Sequence, residues 1–163
     1  MKYILMVIVT LILLCSSQLY AQSNFQYALL ARKYTLRAEA PKSVLKDGKT
    51  SWAVKTTLTN HSRRPLYYFI TTNCDGAYYS VDTLALMVDF PSCNTDRATV
   101  ITVKPKEQRI VDLEIIPAND STSSIPFKII MFMFRAKGVN DSTSHYEFTR
   151  KKALLLVSNQ IKT

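Results

Sequence analysis

Strict alternation of side-chain character within short segments is the feature that most constrains the fold of this chain. Between Ser51 and Asn60, the even-numbered positions carry Trp52, Val54, Thr56 and Leu58. The odd-numbered positions carry Lys55, Thr57 and Thr59. A period of two predicts a β-strand with one face in the core, because successive side chains of a strand point to opposite faces of its sheet.

Most of the remaining chain repeats short segments that are rich in β-branched and aromatic residues, the types that strands favour. One alternating run starts at Tyr34 and stops at Pro41. Further predicted strands cover residues 66–71, 77–81, 84–88, 99–103, 109–116, 127–135, 145–149 and 153–158. Turn formers such as Asp47-Gly48 and Lys104-Pro105 fill the gaps. The pattern predicts an all-β fold, an antiparallel immunoglobulin-like β-sandwich of about seven to nine strands. Residues 25–33 have helical spacing instead, so helix and strand both stay open there.

The N-terminus has the organisation of an export signal. Lys2 precedes an apolar run from Tyr3 to Leu14, and Ala21 is a small residue before a polar one. This pattern predicts a signal peptide over residues 1–21 and one mature domain over 22–163. The alternative is a membrane anchor, but spanning needs about 18 or more apolar residues, so no transmembrane segment is expected in the mature chain. Bulky residues before Cys15 disfavour lipid attachment there, and the product is expected in the periplasm or secreted.

The cysteines agree with an oxidising compartment. Once Cys15 leaves with the signal, Cys74 and Cys93 remain as an even pair. We expect a disulfide that closes a loop of about 20 residues and is worth roughly 3 kcal/mol. The alternative is a metal-binding pair, but His61 and His145 are the only histidines and neither is beside a cysteine. No metal site and no cofactor are predicted.

The charge balance and the motifs argue against several functional classes. The chain has 21 Lys and Arg against 12 Asp and Glu, but the excess is not interleaved with aromatic residues as in single-strand nucleic-acid binders. No nucleic-acid partner is expected. With no GxSxG, HExxH or phosphate-binding loop in the sequence, we predict that the protein is not an enzyme. A small hydrolase that used His61 or His145 is the alternative that spacing leaves open.

Two segments are candidates for a binding surface. The residues Tyr67, Tyr78 and Tyr79 form an aromatic group near the cysteine loops, and Arg63-Arg64 occupies a predicted loop. Tyrosine suits a binding surface because it offers rigid contact area with a polar tip. The alternative is a structural role, in which one ring points into the core and the next lies along the outer face of the sheet. The segment Ile129–Phe134 is apolar at every position, so it is either a central covered strand, with residues 25–33 as a candidate cover, or a patch for a partner.

A set of short motifs resembles a known group of proteins. They are Leu58–Ser62, Leu66–Tyr68, Cys74, Cys93–Asn94, Ile101–Pro105, Phe127–Ile129 and Val157–Asn159. They are similar to small uncharacterised exported proteins of gram-negative bacteria. The resemblance covers most of residues 34–161 and implies an immunoglobulin-like sandwich without an established activity. The strand, Asn-x-Ser and strand opening also resembles bacterial intracellular-proteinase-inhibitor-type domains, from which no inhibitory residue carries over.

The sequence therefore predicts an exported, non-enzymatic β-sandwich that works as a binding or interaction module. Its expected partner is a protein or an envelope glycan, neither of which the sequence identifies. A protease-inhibitor-like domain that presents a loop to a protease is the alternative.

Overall fold

A computed structural model of the chain describes residues 32–46, 49–71, 75–89, 98–119, 124–141 and 153–163. The chain forms two compact units, Met1–Lys33 and Tyr34–Thr163. Of the first unit, the structure describes only Arg32 and Lys33, which are helical and exposed. The predicted signal peptide, residues 1–21, lies outside the described residues and stays a prediction.

The second unit is all-β, and every strand pair that the structure describes in it is antiparallel. The strands are β1 Tyr34–Ala38, β2 Lys42–Lys46, β3 Lys49–Asn60, β4 Leu66–Thr71, β5 Tyr79–Val81, β6 Leu86–Asp89, β7 Ala98–Val103, β8 Gln108–Pro117, β9 Pro126–Phe127, β10 Ile129–Arg135, β11 Leu154–Val157 and β12 Ile161–Lys162. One turn of 3-10 helix, Asp75–Tyr78, precedes β5. The predicted strand at 145–149 lies outside the described residues.

The first large sheet is organised around the long strand β3. Its order is β1-β3-β8-β6, and β2 pairs with the N-terminal part of the same edge of β3 that β1 uses. Glu39, Ala40 and Pro41 interrupt this edge between β1 and β2. The alternation of β3 is confirmed: Trp52, Val54, Thr56 and Leu58 are buried, whereas Lys55 is exposed. The face of β3 that carries Thr57 and Thr59 is therefore available to line a site.

The second large sheet has the order β11-β10-β4-β7, with β5 beside β10 on the edge that β4 also uses. The residues Ile129, Met131 and Met133 of β10 are 0–1% exposed. The strand β4 also contributes heavily to the core, because Leu66, Tyr68, Phe69 and Ile70 are all buried. A small two-stranded sheet pairs β12 with β9 and fixes the C-terminus through Ile161 opposite Phe127.

The core combines alternate side chains from both large sheets. Strand β1 contacts β11, and strand β5 contacts β6, so the two sheets meet at these strands. The all-β class predicted from the sequence is confirmed at the level of antiparallel strands in several sheets. Among the described residues, no helix is both long and apolar enough to cross a membrane.

Candidate functional site

An open groove of about 1070 Å³ lies against the outer face of β1 and β3. Its lining residues come from β1 and the loop after it, from β3 and the loop after it, from the start of β8 and from the C-terminal segment: Thr35, Arg37, Ala38, Glu39, Ala40, Pro41, Thr57, Thr59, His61, Gln108, Asn159, Gln160, Ile161 and Lys162. We call this the β1–β3 groove. It combines residues that are as many as 127 positions apart, from Thr35 to Lys162.

The floor of the β1–β3 groove is made by side chains that alternate away from the core. The register places Thr35 opposite Thr59, and Thr59 opposite Gln108, so these three residues form a row across three strands. The hydroxyl of Thr35 lies 2.8 Å from Nε2 of His61, which holds the imidazole beside the row. The row therefore presents hydroxyl, amide and imidazole groups to solvent, all of which donate and accept hydrogen bonds.

The wall of the groove is the C-terminal segment, which a single side chain attaches to β1. The Oδ1 atom of Asn159 accepts a hydrogen bond from the backbone N–H of Ala38 at 2.9 Å. The Nδ2 atom of Asn159 donates to the carbonyl oxygen of Ala38 at 3.1 Å. The amide thus satisfies both backbone groups of an edge residue, as a neighbouring strand would. Together with the pairing of β12 with β9, this contact positions Gln160 and Lys162 in the wall.

Charge in the groove is weakly positive. Arg37 and Lys162 are the cationic lining residues, and Glu39 is the lining carboxylate. All three are exposed. The lining therefore suits a hydroxylated or anionic ligand better than an apolar one, because its polar groups need hydrogen-bonding partners.

Two turns form a cluster of positive charge at the C-terminal end of β3. The first turn, residues 61–65, connects β3 to β4, and the second, residues 104–107, connects β7 to β8. Together they carry four exposed cationic residues: Arg63, Arg64, Lys104 and Lys106. We call these four residues the basic corner. His61 and Gln108, which flank these turns, both line the groove.

Asn60 holds the two turns together. It is fully buried, and its Nδ2 donates to the carbonyl oxygens of Arg64 and Val103, each at 2.9 Å. Its Oδ1 accepts from the backbone N–H of Ser62 at 2.9 Å, which closes a local turn. Its backbone carbonyl accepts from the N–H of Lys106 at 2.7 Å. Every polar group of this side chain is satisfied, so Asn60 acts as the structural centre of the corner.

Lys106 has an unusual backbone conformation. Its φ is 65°, the one positive value at a non-glycine residue in the part of the chain that is described. The N–H of Glu107 donates to the carbonyl of Lys104 at 3.1 Å, and Pro105 lies between, as in a type II turn. Glycine or asparagine is the usual residue at this position, and a left-handed conformation costs another residue about 1 kcal/mol. The ammonium of Lys106 donates to the carbonyl oxygen of His61 at 3.1 Å.

The residues that the sequence suggested as a binding surface lie in different environments. Arg63 and Arg64 are exposed and belong to the basic corner. Tyr67 is half-buried, whereas Tyr78 and Tyr79 are 8% and 6% exposed. The ring of Tyr78 packs edge-on against Phe134 with centroids 6.1 Å apart. The structure thus separates the two arginines from the two buried tyrosines, and it does not test whether any of them binds a partner.

The predicted disulfide residues, Cys74 and Cys93, lie outside the described residues. The chain next to them is described, and Thr71 at the end of β4 pairs with Ala98 at the start of β7. Cys74 is three positions beyond Thr71, and Cys93 is five positions before Ala98. The disulfide stays a prediction.

The apolar segment of β10 is central in its sheet and has two different faces. Ile129, Met131 and Met133 face the core, whereas Phe132 is 37% exposed. Phe132 pairs with Leu155, and Ile130 pairs with Val157, of β11. Leu155 and Val157 are 41% and 51% exposed. The outer side of this strand pair is thus apolar and partly exposed.

Within the described ranges, no group of three or more His, Cys, Asp and Glu residues is arranged to hold a metal ion. His61 is exposed, and its described side-chain contact is the hydroxyl of Thr35. His145 lies outside the described residues. No protein-family model matches this chain, and no curated protein sequence matches it significantly.

Sequence reasoning did not identify the groove or the full basic corner. Arg37, Gln108 and Lys162 gave no signal, because each is an ordinary polar residue on a strand. Lys104 and Lys106 flank a proline that indicated a turn, but their sequence says nothing about Arg63 and Arg64, some 40 positions earlier. The Asn-x-Ser sequence at Asn60 was the one local hint, since asparagine often organises turns.

Proposed function

We propose that this protein is an exported, non-enzymatic immunoglobulin-like β-sandwich that works by binding a glycan in the β1–β3 groove. The sandwich is supported by two five-stranded antiparallel sheets whose alternate side chains are buried together. Such domains bury about one face of each sheet and leave the other face and the loops for recognition.

Export is supported by the N-terminal sequence pattern and by the positions of Cys74 and Cys93 in the sequence. The pairing of Thr71 with Ala98 brings together the chain ends that lead to Cys74 and Cys93. Three and five residues of chain reach at most about 10 and 17 Å, so this pairing leaves the two cysteines able to reach each other. A disulfide between them stabilises the protein outside the reducing cell interior.

The observation that carries the binding function is the row Thr35, Thr59 and Gln108 with the attached imidazole of His61. Strands and a hydrogen-bonded wall hold these groups in place before a ligand binds. Because the side chains are already ordered, they lose little conformational entropy on binding. Sugars present hydroxyl groups that both donate and accept, which matches hydroxyl and amide side chains. A glycan is therefore the ligand class that this lining fits best.

The experiment is a binding assay of the purified protein on an array of neutral and acidic oligosaccharides. Thr59→Trp places a large ring in the centre of the row, and tryptophan is well tolerated in strands. The matched control is Thr99→Trp on the exposed side of β7 in the other sheet. We expect the wild type and Thr99→Trp to bind the same glycans and Thr59→Trp to bind none. Equal binding by all three proteins, or binding by none, contradicts the proposed function.

A further inference from the structure

We infer that the glycan is an acidic polysaccharide whose chain continues from the β1–β3 groove over the basic corner. The inference deepens the proposed function and rests on it, since it names the ligand class and a second half of the same site. Two observations carry it: the connection of the two turns by Asn60, and the conformation of Lys106, whose ammonium bonds to the groove residue His61.

The first observation is that four cations from distant parts of the chain are held at one place. Asn60 forms hydrogen bonds with the backbone of Arg64 in one turn and of Lys106 in the other. The backbone N–H of Asn60 also donates to the backbone carbonyl oxygen of Glu107 at 3.1 Å. The two turns contain a single carboxylate, Glu107, and its Oε2 accepts from the N–H of Lys104 at 2.5 Å. This carboxylate is therefore engaged by the backbone, and the corner keeps an excess of positive charge.

The second observation is the conformation of Lys106. Its positive φ is strained for lysine, and the chain has glycine at only three positions and not at this one. Strain of this kind at an exposed residue is frequently associated with function. Here the conformation directs the ammonium to the carbonyl oxygen of His61, a residue that lines the groove. One N–H of the ammonium is used in this bond, and two remain to bind an anion.

The arrangement favours a flexible anionic polymer over a membrane surface. Each of the two turns is built from polar, charged and proline residues, without a large apolar side chain to insert among lipids. The corner adjoins the groove through His61 and Gln108, and Arg37 and Lys162 add positive charge to the groove lining. A polymer with acidic groups repeated along its chain would present anions to both groups of cations.

The test measures binding of the purified protein to polygalacturonate, a polysaccharide of carboxylated sugars. The NaCl concentration is varied from about 0.05 to about 0.5 M, because screening of exposed charges becomes much stronger over this range. The corner variant is Arg63→Gln/Arg64→Gln/Lys106→Gly. The matched control is Lys42→Gln/Lys49→Gln, two exposed lysines that do not line the groove. Lys49 lies at the opposite end of β3, about 36 Å from Asn60, and Lys42 lies opposite Ala53, about 23 Å from Asn60 along the strand. Neutral dextran and vesicles with anionic lipid are the comparison ligands.

We expect the corner variant to bind polygalacturonate at least about tenfold more weakly at low salt, with a salt dependence reduced by about two to three ions. The control variant should stay within about twofold of the wild type. The relief of strain at Lys106 predicts that the Tm of the corner variant equals or exceeds that of the wild type. Such a Tm shows that the weaker binding does not come from unfolding of the variant. Equal weakening by both variants, or binding to anionic vesicles and not to the polysaccharide, overturns the inference.

The Thr59→Trp variant separates this inference from the proposed function. If Thr59→Trp abolishes glycan binding and the corner variant binds polygalacturonate normally, the groove binds glycans but the corner plays no part, and the inference fails alone. If the corner variant loses binding and Thr59→Trp does not, the proposed groove fails, and with it the continuous site.

Discussion

The Nδ2 atom of Asn60 donates a hydrogen bond of 2.9 Å to the carbonyl oxygen of Val103, across 43 positions of the chain. Both residues end a strand, β3 and β7, and each is at most 1% exposed. The bond therefore connects the first large sheet to the second at the end where the two turns of the basic corner leave them.

Replacing Asn60 should destabilise the whole domain. Asn60→Ala leaves the buried carbonyl oxygen of Val103 without this donor and removes two further bonds of the same side chain, to Arg64 and Ser62. We expect a loss of about 2–4 kcal/mol in the free energy of unfolding, measured with urea. Ser62→Ala, which removes two solvent-exposed hydrogen bonds between the hydroxyl and the backbone of Arg64, is the control and should cost less than about 1 kcal/mol. Similar losses for both variants would show that Asn60 is not the centre of the corner.

The strain at Lys106 predicts a stabilising substitution. Lys106→Gly removes the steric conflict of a positive φ, although glycine also raises the entropy of the unfolded chain. We expect a net gain of about 0.5 kcal/mol in thermal or urea denaturation. Lys106→Ala is the matched control, because it removes the same ammonium and keeps a Cβ atom in the strained conformation. If alanine stabilises as much as glycine, the gain comes from the lost charge and not from the backbone.

The predicted disulfide between Cys74 and Cys93, which lie outside the described residues, can be tested directly. Cys74→Ser/Cys93→Ser should lower the free energy of unfolding by roughly 3 kcal/mol and keep the β-rich circular dichroism spectrum. Reduction of the wild type by dithiothreitol should bring its Tm down to that of the variant. Two free thiols in the native protein, detected by labelling, would contradict the disulfide.

One side chain, that of Asn159, bonds the wall of the groove to β1. Asn159→Ala removes both bonds to Ala38, so the amide proton of Ala38 should exchange with solvent at least about tenfold faster. The expected loss of stability is about 1–2 kcal/mol. Gln160→Ala, the neighbouring exposed position, should change neither quantity. Unchanged exchange at Ala38 in the Asn159 variant would show that the wall is held by other contacts.

Strand positions were predictable where one face is buried. The alternation over Ser51–Asn60 identified β3, and the segment Leu66–Thr71 was placed with the bounds of β4. The strands β2 and β12 were not predicted, because Lys42–Lys46 does not alternate and two residues of β12 carry no periodicity. Of β9, only Phe127 was predicted, as part of one strand over residues 127–135 that the structure divides into β9 and β10. The residues 75–78 were predicted in part as strand and form a 3-10 turn instead, since Asp75 and Gly76 favour a turn.

The sequence by itself determined the all-β class, the faces of the long strands and the position of several turns, because these depend on the chemistry of neighbouring residues. Only the tertiary structure decided that Arg63 and Arg64 share a corner with Lys104 and Lys106, and that Asn159 reaches Ala38. The register of distant strands sets these contacts, and that register follows from how all the strands bury their apolar faces together, which no local segment specifies.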